Sequence, residues 1–239
     1  MEKELKIKTL DKKIIYGTFA EAEKKSNKLV IFVHGFTGHQ NEHIFFNGAK
    51  FFTKNGFDTF RFDLYAGGKN SRNFRDTKIS LHGSDITTVI KYFRKKYKKI
   101  YVIGHSYGGT SLLFVDQSLV DGFVFWDASY ISSKDATEDI KYNKDLDAYI
   151  SEWGIEIIIG KDFIDELRNF PDCGKLIKQI NKPVLFITAS RKIASKMGKK
   201  YFKSANNPKK LVDIKTADHN FNKWRDEETL FKETYNWLK

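Results

Sequence analysis

One cysteine and three prolines in 239 residues close off several options at the outset. The lone Cys173 has no partner for an internal disulfide, so the chain must hold itself together by a packed core. That suits a reducing compartment, and a cytoplasmic location is expected. No apolar run approaches the roughly 18 residues that a membrane-spanning helix needs. The opening MEKELKIK alternates charge with single apolar residues, and without an apolar stretch it gives no reason to expect a signal peptide. Zinc-ligand spacing, internal repeats and low-complexity linkers are also missing.

What is present describes a globular chain. Hydrophobic residues make up 41% and charged residues 30%, and the length suits one domain, 1–239, with a sizeable core. A net charge of +12 raises the question of nucleic acid. The densest basic cluster, Arg94, Lys95, Lys96, Lys98 and Lys99, falls at the end of an expected helix over 82–96, where cations oppose the helix dipole. The other lysines are scattered and no nucleic-acid motif accompanies them. No nucleic-acid partner is expected.

Apolar periodicity gives the architecture. Residues 4–10 and 13–19 alternate and read as an antiparallel hairpin turning near Asp11-Lys12. The run at 28–35 is continuously β-branched and aromatic, as expected for a strand buried on both faces; 58–64 and 99–106 repeat the buried-strand pattern, and further strands are expected at 122–128 and 183–189. A further strand is expected at 209–215. Helices are expected over 42–54, with Asn41 as cap, and over 82–96, 107–118 and 222–238. Alternation of this kind defines an α/β fold: a mostly parallel central sheet with helices on both faces. Chemistry in such sheets gathers at the carboxyl ends of the strands. The interval 130–175 is too long for an ordinary connection and carries Tyr130, Tyr142, Tyr149, Trp153 and Phe163. It reads as a small cap insertion over the strand ends, with Trp153 and Tyr130 as candidate substrate contacts.

The polar residues at those ends form a pattern. "GHSYGG" (104–109) lies between a strand and a helix, the setting in which G-x-S-x-G makes a sharp turn that holds a serine hydroxyl out of the sheet. Ser106 is therefore the candidate nucleophile, and the Tyr107 N–H at the helix start is one candidate oxyanion donor. "HGFTG" (34–38) ends another strand and offers the Phe36 N–H as the second. Serine needs an imidazole to take its proton, and "TADHNF" (216–221) supplies His219 on another strand-end loop. His34 and His105 read as turn-shaping or packing residues, and Asp63 as a loop organiser. His39 and His43, four residues apart, have no further ligands to make a metal site, and neither metal nor organic cofactor is expected.

These motifs, "HGFTG", "RFDLYAGGKNS", "GHSYGG" and "ADHNF", stand in the order and approximate spacing of the α/β-hydrolase superfamily, which the chain resembles over nearly its whole length. Within it the chain is most similar to small bacterial carboxylesterases of the cinnamoyl/feruloyl type, which also carry a short cap before the seventh strand. The resemblance implies a serine esterase acting on a small-molecule ester. Such relatives usually place an aspartate after that strand, but the pattern falls on Lys192 in "PVLFITASRK". "FVFWDAS" (123–129) offers Asp127 at the end of the sixth strand, where haloalkane dehalogenases and certain lipases keep their acid. A buried aspartate there is costly unless it is paired. The expected triad is Ser106, Asp127 and His219. The alternatives are an acid from the insertion, Asp135 or Asp139, or no acid at all, with Ser190 or a carbonyl holding the histidine. Other acyl specificities (thioesterase, peptidase, monoacylglycerol lipase) and a non-catalytic binding protein of the same fold remain open on these residues.

Overall fold

A computed structural model describes residues 2–132, 140–152, 156–189 and 192–239. The chain opens with β1 (Glu2–Lys8) and β2 (Ile14–Ala20), an antiparallel hairpin. Then follow β3 (Lys28–Val33), α1 (His43–Lys54), β4 (Asp58–Phe62), α2 (Ile79–Arg94), β5 (Lys99–His105), α3 (Tyr107–Ser111) and β6 (Gly122–Trp126). The stretch after β6 holds β7 (Lys141–Asn143), β8 (Ala148–Glu152), β9 (Glu156–Ile159), α4 (Lys161–Arg168) and α5 (Cys173–Lys178). The chain closes with β10 (Val184–Ala189), α6 (Lys192–Ser204), β11 (Lys209–Ile214) and α7 (Trp224–Leu238).

The main sheet runs β1-β2-β4-β3-β5-β6-β10-β11. Every pairing from β4 to β11 is parallel, and β2 joins β4 antiparallel. β7, β8 and β9 form a separate antiparallel sheet. The continuous apolar runs are explained by strand geometry, since successive side chains face opposite sides. Leu29, Ile31 and Val33 enter the core shared with α2, while Val30 and Phe32 enter the core shared with α1 and α7. Each such side chain, fully buried, contributes about 1.5–3 kcal/mol. Among the described residues no helix is long and apolar enough to cross a membrane.

Several expectations needed correction. α1 is capped at Glu42 without a side-chain bond, and the Asn41 side chain instead accepts from Arg61 Nε at 3.4 Å. The expected helix over 107–118 is cut short after Ser111 by a tight turn at Leu112–Phe114. There the chain packs against α2, where a Cβ on Gly83 would lie 3.0 Å from the Phe114 carbonyl carbon. α6 has no counterpart among the expected elements. Arg94, the head of the basic cluster, is a structural pin. It donates to the carbonyls of Tyr97, Lys98 and Leu119 and pairs with Asp121.

Long-range contacts pin two of the loops. The segment after β4 is tied down by Arg72, which donates to both oxygens of buried Asp85 (2.6 and 2.9 Å) and of Asp11 (2.7 and 3.0 Å). Asp63 accepts from the Gln40 backbone and side chain at 2.8 and 2.7 Å. It thus braces the loop after β3 rather than its own.

Candidate active site

β5 ends at His105, and the next residue takes φ 53° and ψ −124°, a conformation that L-residues rarely adopt. That residue is Ser106. The turn is packed by main chain so closely that its glycines leave no room for a side chain. A Cβ on Gly104 would lie 2.6 Å from the Gly108 carbonyl oxygen, and one on Gly108 would run into the carbonyls of Val33 and His34. Neighbouring backbone holds the turn from both sides. Ser106 N–H donates to Trp126 O at 3.0 Å, and Ser129 N–H donates to Ser106 O at 3.2 Å.

Three side chains from three strand ends converge here. Ser106 Oγ lies 3.1 Å from His219 Nε2, and His219 Nδ1 lies 2.6 Å from Asp127 Oδ2. A carboxylate only accepts, so Nδ1 carries the hydrogen and Nε2 is left bare, able to take the proton of the serine hydroxyl. The Asp127 side chain is 1% exposed and that of His219 39%. Asp127 directly follows β6, with φ 42°, and its N–H donates to Ile187 O at 2.7 Å. Its second oxygen, Oδ1, accepts from Ala189 N–H at 2.9 Å. The buried carboxylate is thereby satisfied at both oxygens.

His219 sits after β11 in a loop anchored by fully buried Phe221. Its backbone carbonyl accepts from His105 Nε2 at 2.8 Å, and the two rings lie 4.7 Å apart. Burial pushes the His105 pKa down to about 3, so the ring stays neutral and serves as a fixed donor. The Asp218 oxygens accept from the Asn222 backbone and side chain at 3.0 and 2.9 Å.

Gly35 closes the site on the β3 side, where a Cβ would lie 3.0 Å from Ser106 Cβ and 3.5 Å from Oγ. Phe36 and Tyr107 flank the nucleophile from the two loops, with their rings 5.2 Å apart. Phe163 of α4 packs on both, at 5.8 and 6.4 Å, and Phe74 on Phe36 at 5.0 Å. Beneath these rings only about 10 Å³ of open volume remains.

Of the other expected contacts, Tyr130 is turned elsewhere. Its ring lies 4.9 Å from Tyr201 and lines a cavity of about 590 Å³ with Lys200, Lys203 and Asp172. Trp153 lies outside the described residues, as do Ser190, Arg191, Asp135 and Asp139. Lys192 begins α6. Sequence reasoning missed Ser129, whose hydroxyl is 3.4 Å from that of Ser106, and the bracing by His105. "FWDAS" and "GHS" contain both residues, but only the fold brings them to their partners.

An open twisted sheet with a strained serine turn after β5 and a histidine after the last strand is the architecture of the α/β-hydrolase fold, and the protein has that fold. A family model described as alpha/beta hydrolase fold matches residues 28–145. Similar solved structures include a ferulic-acid-bound Est1E from Butyrivibrio proteoclasticus, with a TM-score of 0.84 at 19% identity, covering 98% of this chain and 97% of that one. An esterase domain from Rhodothermus marinus gives 0.76 at 16%, covering 99% and 97%. An esterase of Pyrococcus furiosus gives 0.75 at 20%, covering 100% and 91%. No curated protein sequence matches the chain.

Proposed function

We propose that the protein is a serine hydrolase that cleaves carboxylic esters of small molecules through an acyl-serine intermediate. The observation that carries this reading is the chain of contacts from Ser106 Oγ through His219 to Asp127, at 3.1 and 2.6 Å. In this reading His219 Nε2 takes the hydroxyl proton as Ser106 attacks the ester carbonyl. Asp127 holds the imidazole in the required tautomer and supports its positive charge. The N–H groups of Phe36 and Tyr107 receive the developing oxyanion. His219 then protonates the leaving alcohol and activates the water that releases the acid. These steps call on no metal or organic cofactor.

The whole chain acts as one domain in this proposal, with 130–175 as its cap. The support is that Phe163, from that stretch, packs on Phe36 and Tyr107 beside the nucleophile. Trp153 stays as a proposed substrate contact from the same stretch, whereas Tyr130, which faces Tyr201 and a separate cavity, does not. The esterase names of the similar structures, one of them bound to ferulic acid, favour esters over other acyl substrates. A cytoplasmic setting rests on the single, buried and unpaired Cys173.

A fluorophosphonate probe tests the reading directly. Ser106 is expected to be labelled in the folded protein, with labelling lost in Ser106→Ala, and p-nitrophenyl esters are expected to turn over. Folded protein that neither reacts nor turns over an ester would remove the hydrolase assignment.

A further inference from the structure

The Gly35 carbonyl oxygen accepts three hydrogen bonds: from His34 Nδ1 at 2.9 Å, Tyr65 Oη at 3.1 Å and Gly38 N–H at 3.2 Å. A carbonyl has two lone pairs, so this oxygen is saturated. The same peptide plane carries the Phe36 N–H on its opposite side, because C=O and N–H of a trans peptide point apart. Whatever holds the Gly35 oxygen therefore also aims the Phe36 N–H. The oxygen is drawn toward Tyr65 and His34, while Gly35 itself lies against Ser106.

The donors are themselves fixed. His34 is buried, and its Nε2 accepts from Leu64 N–H at 3.0 Å. The ring hydrogen must then sit on Nδ1, the atom facing Gly35. Tyr65 is buried as well, its ring edge-on to His34 at 5.1 Å, and burial keeps its hydroxyl protonated and donating. Leu64 and Tyr65 are consecutive residues in the loop that Arg72 ties down, and Ala66 N–H donates to Arg72 O at 2.8 Å. The turn needs such help. Thr37 has φ 57°, and a β-branched residue is strained in that region.

We propose that Tyr65 and His34 are positioning residues for the oxyanion: from the loop after β4 and the end of β3 they hold the Gly35–Phe36 peptide with its N–H toward the Ser106 hydroxyl. The proposal rests on the hydrolase reading. It adds that the oxyanion geometry is set in part from outside the two loops that supply the donors. Both residues act through the Gly35–Phe36 peptide rather than as oxyanion donors themselves. Their effect falls on the transition state, in which the oxygen carries charge, and not on ester binding.

The test is Tyr65→Phe, which removes one hydroxyl and leaves the ring. Losing an oxyanion donor outright costs about 10²–10³ in kcat, so loosening its aim is expected to cost about ten-fold. KM for p-nitrophenyl acetate should stay within about two-fold, and inhibition by phenylboronic acid, which forms a tetrahedral adduct, should weaken about as much as kcat. A crystal structure of the variant is expected to show the Gly35–Phe36 peptide rotated or in two orientations. A lowered Tm with kcat and boronate inhibition unchanged would overturn the proposal, as would an unmoved peptide. If the wild-type protein neither labels nor hydrolyses, the hydrolase reading fails, and the crystal structure still decides whether Tyr65 sets the peptide. Should Tyr65→Phe not fold, His34→Asn and His34→Gln carry the same test. Asn puts a donor near the Nδ1 position and Gln near Nε2, so Asn should keep more kcat, and the reverse order overturns the idea.

Discussion

Ala189 N–H donates to Asp127 Oδ1 at 2.9 Å across the carboxyl ends of β10 and β6. The strand that brings no acid of its own to this site holds, through its backbone, the aspartate of the strand beside it. Asp127 has His219 on one oxygen and Ala189 on the other, which removes the penalty of burying a lone carboxylate.

Asp127→Asn should therefore fold. The amide oxygen can still accept from Ala189, but the NH2 would face His219 Nδ1 and favour the tautomer that cannot accept from Ser106. Turnover of a p-nitrophenyl ester is expected to fall by about 10⁴, with the melting temperature changed little. Near-normal turnover would remove Asp127 from the mechanism.

Ser106 holds a backbone conformation that suits glycine, and such strain costs on the order of 1–3 kcal/mol. Glycine relieves it and alanine does not. Urea denaturation should find Ser106→Gly more stable than Ser106→Ala by about 1 kcal/mol, after discounting the extra freedom glycine gives the unfolded chain. Equal stabilities would mean the turn is unstrained.

Three buried histidines make stability depend on pH in an unusual range. Burial pushes His34 down to about 4, and His82 and His105 each to about 3, against 6.5 when exposed. Their folded values are depressed, so the unfolded chain takes up protons first as pH falls below about 6.5. The stability they support is complete above that pH and is lost progressively toward pH 3 to 4. Each contributes a slope of up to roughly 1.4 kcal/mol per pH unit. Urea midpoints at pH 7, 6 and 5 should drop steeply, and His82→Met should reduce the steepness by about one proton. A flat profile from pH 7 to 5 would mean that these rings are not held neutral by burial.

Phe163 fills the space beside Phe36 and Tyr107, leaving about 10 Å³ beneath the rings. Short acyl groups should therefore be preferred over long ones. Phe163→Ala is expected to raise kcat/KM for p-nitrophenyl hexanoate relative to the acetate, at a stability cost of about 3 kcal/mol. An unchanged chain-length profile would place the acyl group elsewhere.

The central strands β3 and β6 were legible because a strand buried on both faces is mostly apolar, and "KLVIFV" and "GFVFW" say so without reference to the rest of the chain. The placing of Ser106 and His219 at strand ends was legible for a related reason: the proposed chemistry needs them there. α6 was hidden by its lysines, which read as loop, although buried Tyr201 on the same helix stacks on Phe186 at 5.9 Å. The braces His105 to His219 and Tyr65 to Gly35 span 114 and 30 residues. Such partners are set by through-space distance, which no local pattern encodes. The sheet β7-β8-β9 was foreseen only as an insertion, because its strands are short and half exposed.

The contact of Gly108 with the carbonyls of Val33 and His34 has a consequence for how such a protein can change. With no side chain between them, the end of β3 and the start of α3 abut directly, and the Phe36 and Tyr107 amides are carried on a single rigid seam. In the proposed mechanism those residues serve the reaction with their main chain and meet the acyl group with their rings. Reactivity and selectivity then reside in different atoms of the same two residues. Substitution at positions 36 and 107 can retune what the enzyme accepts while leaving intact the means by which it reacts.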